Sequence, residues 1–347
     1  MTALTPAEID ATADWISSVQ LSDGLICWFE GGHGDPWNHV EAAMALATAG
    51  RRREAEAAYD WLAKNQLPDG SWCHYYLADG VEEPRRDPNA CAYIATGAWW
   101  HYLAVRDNGF LEELWPVIDA ALDFVVRLQR PGGEFLWSLD PDGVPGSFAL
   151  LTGSASIYHS LRCGVAVAER LGHERPDWEL AVARAGHAVA HDPDAFIDKS
   201  PWAMDWYYPV LCGAVHSQAG REHLLEGYDR FVMPGLGVRC IDANQWVTAA
   251  ETSECVIALD AVGLRQEAID LLSWTRHMRD DDGAYWTGCV HPECVRYPGG
   301  ERTTYTAAAV VIADHILRSS DACAGIFRGD SLPEPLELHE IERIGER

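Results

Sequence analysis

A chain of 347 residues with 48% apolar content can bury a large core, and its net charge of −27 repels nucleic acid and anionic membrane surfaces alike. No run approaches the roughly eighteen apolar residues that a membrane span needs, the opening MTALTPAEID has neither a basic start nor an apolar stretch, and ten irregularly spaced cysteines read as reduced and buried. The expectation is a cytoplasmic monomer or homodimer with a neutral substrate, no cofactor, and neither nucleic acid nor membrane as partner.

Caps and 3.6-residue periodicity predict twelve helices, at about 6–20, 36–49, 51–66, 88–106, 110–130, 151–171, 177–191, 201–219, 221–231, 245–262, 264–279 and 302–319. The first ends in Trp15-x4-Gln20-x2-Asp23-Gly24 followed by Trp28, and the third repeats the phrase as Trp61, Gln66, Asp69, Gly70 and Trp72. Further copies close the fifth helix (Phe124, Gln129, Gly132, Gly133, Trp137) and the eleventh (Trp274, Arg279, Asp282, Gly283, Trp286). Links at Gly50, 107–109, 172–176, Gly220 and Gly263 are short, as antiparallel helix neighbours require. The others, 21–35, 67–87, 131–150, 192–200, 232–244 and 280–301, are long and rich in Gly, Pro and aromatic residues.

Shifting the chain by 213 residues superposes 41–70 on 254–283 with ten of thirty positions identical, among them Glu41/Glu254, Gly50/Gly263, Trp61/Trp274 and Asp69-Gly70/Asp282-Gly283. The unit is helix, Gly turn, helix, Asp-Gly turn, and such units bury their apolar faces against their neighbours. Even-numbered helices, such as ACAYIATGAWWHYLAV, are apolar all round and belong inside, whereas odd-numbered ones carry a charged face and belong outside. Six of each make an all-α (α/α)6 toroid over residues 1–320, with 321–347 as a tail packed on the barrel or flexible. The long loops and the inner-helix N-termini then share one end, the mouth.

The Gln-x2-Asp-Gly-x-Trp phrase resembles the QW repeat of terpene cyclases and protein prenyltransferase β subunits, and the twelve-helix plan is similar to that of six-hairpin glycosidases. It marks scaffold only. Neither Asp-x-Asp-Asp nor Asp-Asp-x-x-Asp occurs, and the acidic run Asp280-Asp281-Asp282 belongs to a repeat turn. For the zinc of a prenyltransferase, the candidates are Asp87 with Cys91, or Cys289-x-His291-x2-Cys294. The latter lacks an evident fourth ligand and reads as ordinary loop Cys and His, so no metal is expected.

Fifteen Trp and twelve Tyr favour sugar instead, because the C–H faces of sugar rings stack on aromatic rings while their hydroxyls take hydrogen bonds. Trp15, Trp61, Trp178 and Trp274 lie on outer helices and are expected to pack between layers. Trp28, Trp37, Trp72, Trp137, Trp202, Trp246 and Trp286 are assigned to the mouth. Glycosidic hydrolysis uses one protonated and one ionised carboxyl group, and the mouth candidates are Asp35, Asp87, Asp205, Glu251, Glu254 and Glu301.

Several have plainer roles. Asp35-Pro36 and Asp87-Pro88 read as N-caps with Pro at the first helical position, and Thr248-x2-Glu251 as a capping box. Glu254, which repeats Glu41, suggests a structural role common to both units. Glu251, by contrast, faces Asn38 in the superposition, where the two units disagree. We therefore assign Glu251 as general acid and Asp35 as general base, with Asp205 as substitute for either. A separation of roughly 6.5–9.5 Å would leave room for a water and give inversion. Substrate contacts are assigned to His33, Trp37, Asn38, His39, Trp72, Asp87, Trp202, Tyr207, Trp246, Trp286 and Arg302.

The phrase WFEGGHGDPWNHVEAAMAL resembles a group of actinobacterial QW-repeat proteins often labelled prenyltransferase-like, which includes an endo-α-mannosidase of methylmannose polysaccharide. That resemblance implies hydrolysis of internal α-(1→4)-mannosidic bonds. A terpene cyclase or prenyltransferase-like enzyme and a non-catalytic glycan-binding protein are the alternatives.

Overall fold

The computed structural model describes residues 4–336. Among the described residues thirteen α-helices run in the order α1 (Pro6–Val19), α2 (Pro36–Thr48), α3 (Arg52–Asn65), α4 (Pro88–Val105), α5 (Asn108–Val126), α6 (Leu151–Leu171), α7 (Pro176–His191), α8 (Ala203–Leu211), α9 (Ser217–Phe231), α10 (Ala249–Ala261), α11 (Arg265–Trp274), α12 (Thr304–Arg318) and α13 (Ala322–Arg328). Helices α2, α4, α6, α8, α10 and α12 each pack on the next, and α12 returns to α2, so the inner ring closes. The six odd-numbered helices from α1 to α11 surround it, giving the expected (α/α)6 barrel. Its inner helices are buried over most of their length, as their all-round apolar character requires.

The repeated phrase now has a physical role. The Gln20 side-chain amide donates to Gly24 O at 2.9 Å and to Glu54 O of α3 at 2.9 Å. Gln66 repeats this on Gly70 and Val117 of α5, and Gln129 on Gly133 and Ala181 of α7. Arg279 takes the place of Gln and reaches Glu8 O of α1 at 3.3 Å. Each turn therefore welds one outer helix to the next, and the Arg279 copy joins α11 back to α1. Close approach explains the glycine: Gly70 has φ +92°, and a Cβ there would overlap the Ala120 carbonyl of α5.

Three expectations change. The predicted helix 201–219 breaks at 212–216, because Gly213 at φ +77° ends α8 and Gly220 lies inside α9. Loop segments also form strands: β1 (Tyr75–Leu77) pairs with β2 (Gly80–Glu83), and β3 (Val232–Met233), β4 (Gly237–Arg239), β5 (Trp246–Thr248), β6 (Gly288–Val290) and β7 (Val295–Arg296) make an antiparallel sheet in that order. Strands of two to four residues are too short to show a period of two in sequence.

Third, the tail contributes α13, which packs against α4, α10 and α12. Phe327 stacks on His159 with centroids 4.8 Å apart, and Arg328 Nε bonds Asp260 at 2.7 Å near the C-terminal end of α10. It thus covers the end of the barrel opposite the mouth. Residues 337–347 of the predicted tail lie outside the described residues. Among those described, no helix is long and apolar enough to cross a membrane.

Candidate active site

Asp35 caps α2 and is 5% exposed. Its Oδ1 accepts from the Trp37 and Asn38 backbone N–H groups at 2.9 and 3.0 Å, and its Oδ2 from Trp28 Nε1 and Asn38 Nδ2, both at 2.6 Å. Trp28 meets His33, Tyr75 and Tyr305 edge-on, with centroids 4.5, 5.8 and 5.1 Å away. His33 stacks on Tyr75 and places Nδ1 3.0 Å from Glu82 of β2. The Thr304 N–H and hydroxyl donate to the carbonyls of Trp28 and Cys27, both at 2.7 Å. The glycine-rich loop before α2 is thereby tied to α12 and to the β1–β2 hairpin.

Glu251 stands in the first turn of α10, its N–H donating to the N-cap hydroxyl of Thr248. The 213-residue register sets Asp35 on Thr248 and Asn38 on Glu251, so Asp35 and Thr248 cap equivalent helices, and Asn38 and Glu251 occupy one tier. Burial raises the Glu251 carboxyl above the ordinary glutamate value, while a hydrogen bond with the Cys240 thiol partly opposes the rise. Its electrostatic neighbours are Tyr207, Tyr305 and Glu254.

The other side of the mouth holds a cavity of about 250 Å³ between the N-termini of α4, α6 and α8. Asp87 caps α4 there, and Asp205 accepts from Thr152 Oγ1 at 2.7 Å; burial raises both carboxyl groups. Phe135, Leu136, Ile157 and Met204 supply apolar wall, with Trp137 and Trp202 as flat faces. Trp202 is 37% exposed under Lys199 Nζ, and the Arg85 guanidinium lies over Trp137. On the barrel axis, Trp37 stacks on Tyr93 at 4.2 Å, and its neighbours Glu41, Glu254 and Tyr208 leave a space of only about 20 Å³. The mouth therefore has a solid floor.

The assigned residues separate accordingly. Asp87, Trp202 and Asp205 line the cavity of the mouth and Trp37 its floor, while His33, Asn38 and Glu251 stand half-buried at or just before the N-termini of α2 and α10. Trp246, bonded through Nε1 to Tyr297 O, stands at its rim. His39 does not reach it: wholly buried, it accepts from Ile26 N–H and donates to Ala58 O, and burial depresses it to about 4. Trp72 is also core, donating to Leu62 O. Tyr207 is fully buried with its hydroxyl on Glu254. Trp286 carries Arg296 on its ring, and Arg302 bonds Asp280 and Asp282, so both lock the last repeat turn. Glu301 pairs with Thr287. Sequence reasoning missed Tyr75, Tyr305 and Cys240, although Tyr305 at the start of an inner helix carried a usable signal.

An (α/α)6 barrel whose mouth presents carboxyl groups among flat aromatic faces has the arrangement of a toroid glycoside hydrolase. No family model matches the chain. Solved structures share its fold: a glycosidase in complex with glucose (TM-score 0.72, 14% identity, 90% of this chain and 96% of that one) and the GH63 mannosylglycerate hydrolase of Thermus thermophilus (TM-score 0.65, 12% identity, 88% and 98%). D-mannose isomerase is similar too, with a TM-score of 0.66 at 11% identity over 89% of this chain and 96% of that one. In sequence the chain is 48% identical over 334 residues to the MMP endo-(1,4)-3-O-methyl-α-D-mannosidase of Mycolicibacterium hassiacum, covering 96% of this chain and 92% of that protein. The chain belongs to the family of that mannosidase and is a glycoside hydrolase.

Proposed function

We propose that the chain cleaves internal α-(1→4) bonds of a 3-O-methylated mannose polysaccharide. The observation that carries this reading is the 48% identity to the Mycolicibacterium hassiacum mannosidase along almost the entire chain. The cavity beside Asp205 supports it: apolar side chains between two Trp faces suit a methyl ether, which has no donor to satisfy, better than a free hydroxyl. The filled barrel axis speaks against the terpenoid alternative, since about 20 Å³ cannot hold a prenyl chain.

Glu251 serves as general acid, because burial raises its carboxyl and so shifts it toward the protonated form. Asp35 serves as base, fixed by the α2 N-terminus and its four donors. Both donors on Oδ2 are side chains, those of Trp28 and Asn38. Asp205 is the second reading for the base, because one of its oxygens is held by Thr152 in a cavity large enough for substrate. The test compares methylated mannans, unmethylated mannans and glucans as substrates, then Asp35→Asn with Asp205→Asn on whichever is cut. Cleavage of glucan in preference to methylated mannan overturns the substrate; full activity in Asp35→Asn overturns its role as base.

A further inference from the structure

The β6–β7 hairpin pairs Cys289 with Arg296 and Val290 with Val295, so His291-Pro292-Glu293-Cys294 forms its turn, with Cys294 in the left-handed region at φ +55°. The single turn of 3-10 helix after α11, Thr275–Met278, brings His277 against it. Ligand atoms of His277, His291 and Cys294 all lie within 4.8 Å of one another, and the Cys289 thiol is hydrogen-bonded with that of Cys294. His291 is only 8% exposed, and its Nε2 is buried without a hydrogen-bond partner. Such an unsatisfied nitrogen is costly in a native fold and calls for an occupant.

We propose that Cys289, His291, Cys294 and His277 bind a zinc ion. Two thiolates and two imidazoles form a soft tetrahedral set, neutral overall with Zn2+ bound, that selects zinc over hard cations. Zinc bond lengths of roughly 2.0–2.3 Å place tetrahedral ligands about 3.3–3.8 Å apart, so His277, His291 and Cys294 must close in from their present spacing within 4.8 Å, and Cys289 must join them from its place beside Cys294. His277 is already oriented: its Nδ1 donates to Trp274 O at 2.6 Å, leaving the Nε2 lone pair for metal, as outer partners of zinc-bound imidazoles do. Four protein ligands leave no open position, so the ion is structural. It clips the hairpin to the end of α11 and steadies β5, which pairs with β6 and runs directly into α10 and Glu251.

The test uses the full chain, stripped with chelator, reloaded with zinc, desalted and analysed by elemental mass spectrometry. About one zinc per chain is expected, with a higher melting temperature and slower reaction of the exposed Cys294 with a thiol reagent. Cobalt(II) in its place should give the visible spectrum of a tetrahedral thiolate site. His277→Ala and Cys294→Ser should each lose zinc affinity by at least about tenfold while keeping the helical circular dichroism of the parent. Zinc lost on desalting, zinc held equally by both variants, or a Cys289–Cys294 disulfide in freshly purified protein overturns the proposal. Thiol protection in the unmutated chain decides the matter should either variant fail to fold.

Discussion

Glu41 and Glu254, 213 residues apart in the chain, line the same small space on the barrel axis, from α2 and α10. The Tyr207 and Tyr208 hydroxyls both donate to Glu254, yet burial still pushes its carboxyl up to about 7, and burial together with Glu254 raises that of Glu41 as well. Two carboxyl groups in a dry space cannot both ionise cheaply, so the folded protein holds protons that the unfolded chain releases.

The sign of a pH effect follows. A carboxyl raised from about 4.5 to about 7 on folding supports the fold below 4.5, and that support is lost as pH rises to 7. The contribution is at most roughly 3 kcal/mol. Urea melts of the parent should therefore show stability from this group falling between pH 4.5 and 7, and Glu254→Gln should flatten that slope. A parallel pH profile in the variant would show that the pair does not share protons in this way.

The welds between outer helices should be scaffold alone. Gln66→Ala leaves the Gly70 and Val117 carbonyls without their donor, a loss of about 1–3 kcal/mol. Gly70→Ala should cost at least as much, because φ +92° and the nearby Ala120 carbonyl act together. Both should lower the melting temperature and leave kcat unchanged at low temperature; a kcat change with an unchanged melting temperature would contradict a purely structural weld.

Much of this was legible in the sequence because it is written in spacing. The 213-residue register located both Gly turns and the tier that holds Asn38 and Glu251, and the Asp-Pro and Thr-x2-Glu spacings located the caps of α2 and α10. What spacing could not show was how deep a side chain lies. His39 is adjacent to Asn38 in sequence yet points outward between layers, where it joins the Ile26 N–H to the Ala58 carbonyl. Trp72 follows the Asp-Gly turn just as the mouth tryptophans do, but its indole N–H finds Leu62 O and it folds inward. Cys240 and His277 approach their partners only through a sheet and a 3-10 turn that short local sequence does not encode.

Catalysis should follow the protonation of Glu251. Its raised carboxyl predicts an alkaline limb in kcat/KM above the ordinary glutamate range, and Glu251→Gln should lose about 10²–10⁴ in rate. The Cys240 thiol opposes the rise, so Cys240→Ala should move that limb to higher pH. Movement in the other direction would place the controlling acid elsewhere.

Methyl recognition should depend on the apolar wall near Asp205. Ile157→Thr or Met204→Thr should lower kcat/KM for methylated oligomannoside relative to the unmethylated one by about 10-fold or more. Equal losses on both substrates, measured in parallel progress curves, would remove this cavity from methyl selection.

The most direct measurement is mass spectrometry of the products from a 3-O-methylmannose oligosaccharide of defined length, incubated with the parent and with Glu251→Gln. The parent should yield internal fragments of several sugars, and the variant should leave the oligosaccharide intact over the same period. Stepwise release of single sugars, or fragments formed equally by the variant, would contradict internal cleavage with Glu251 as the acid.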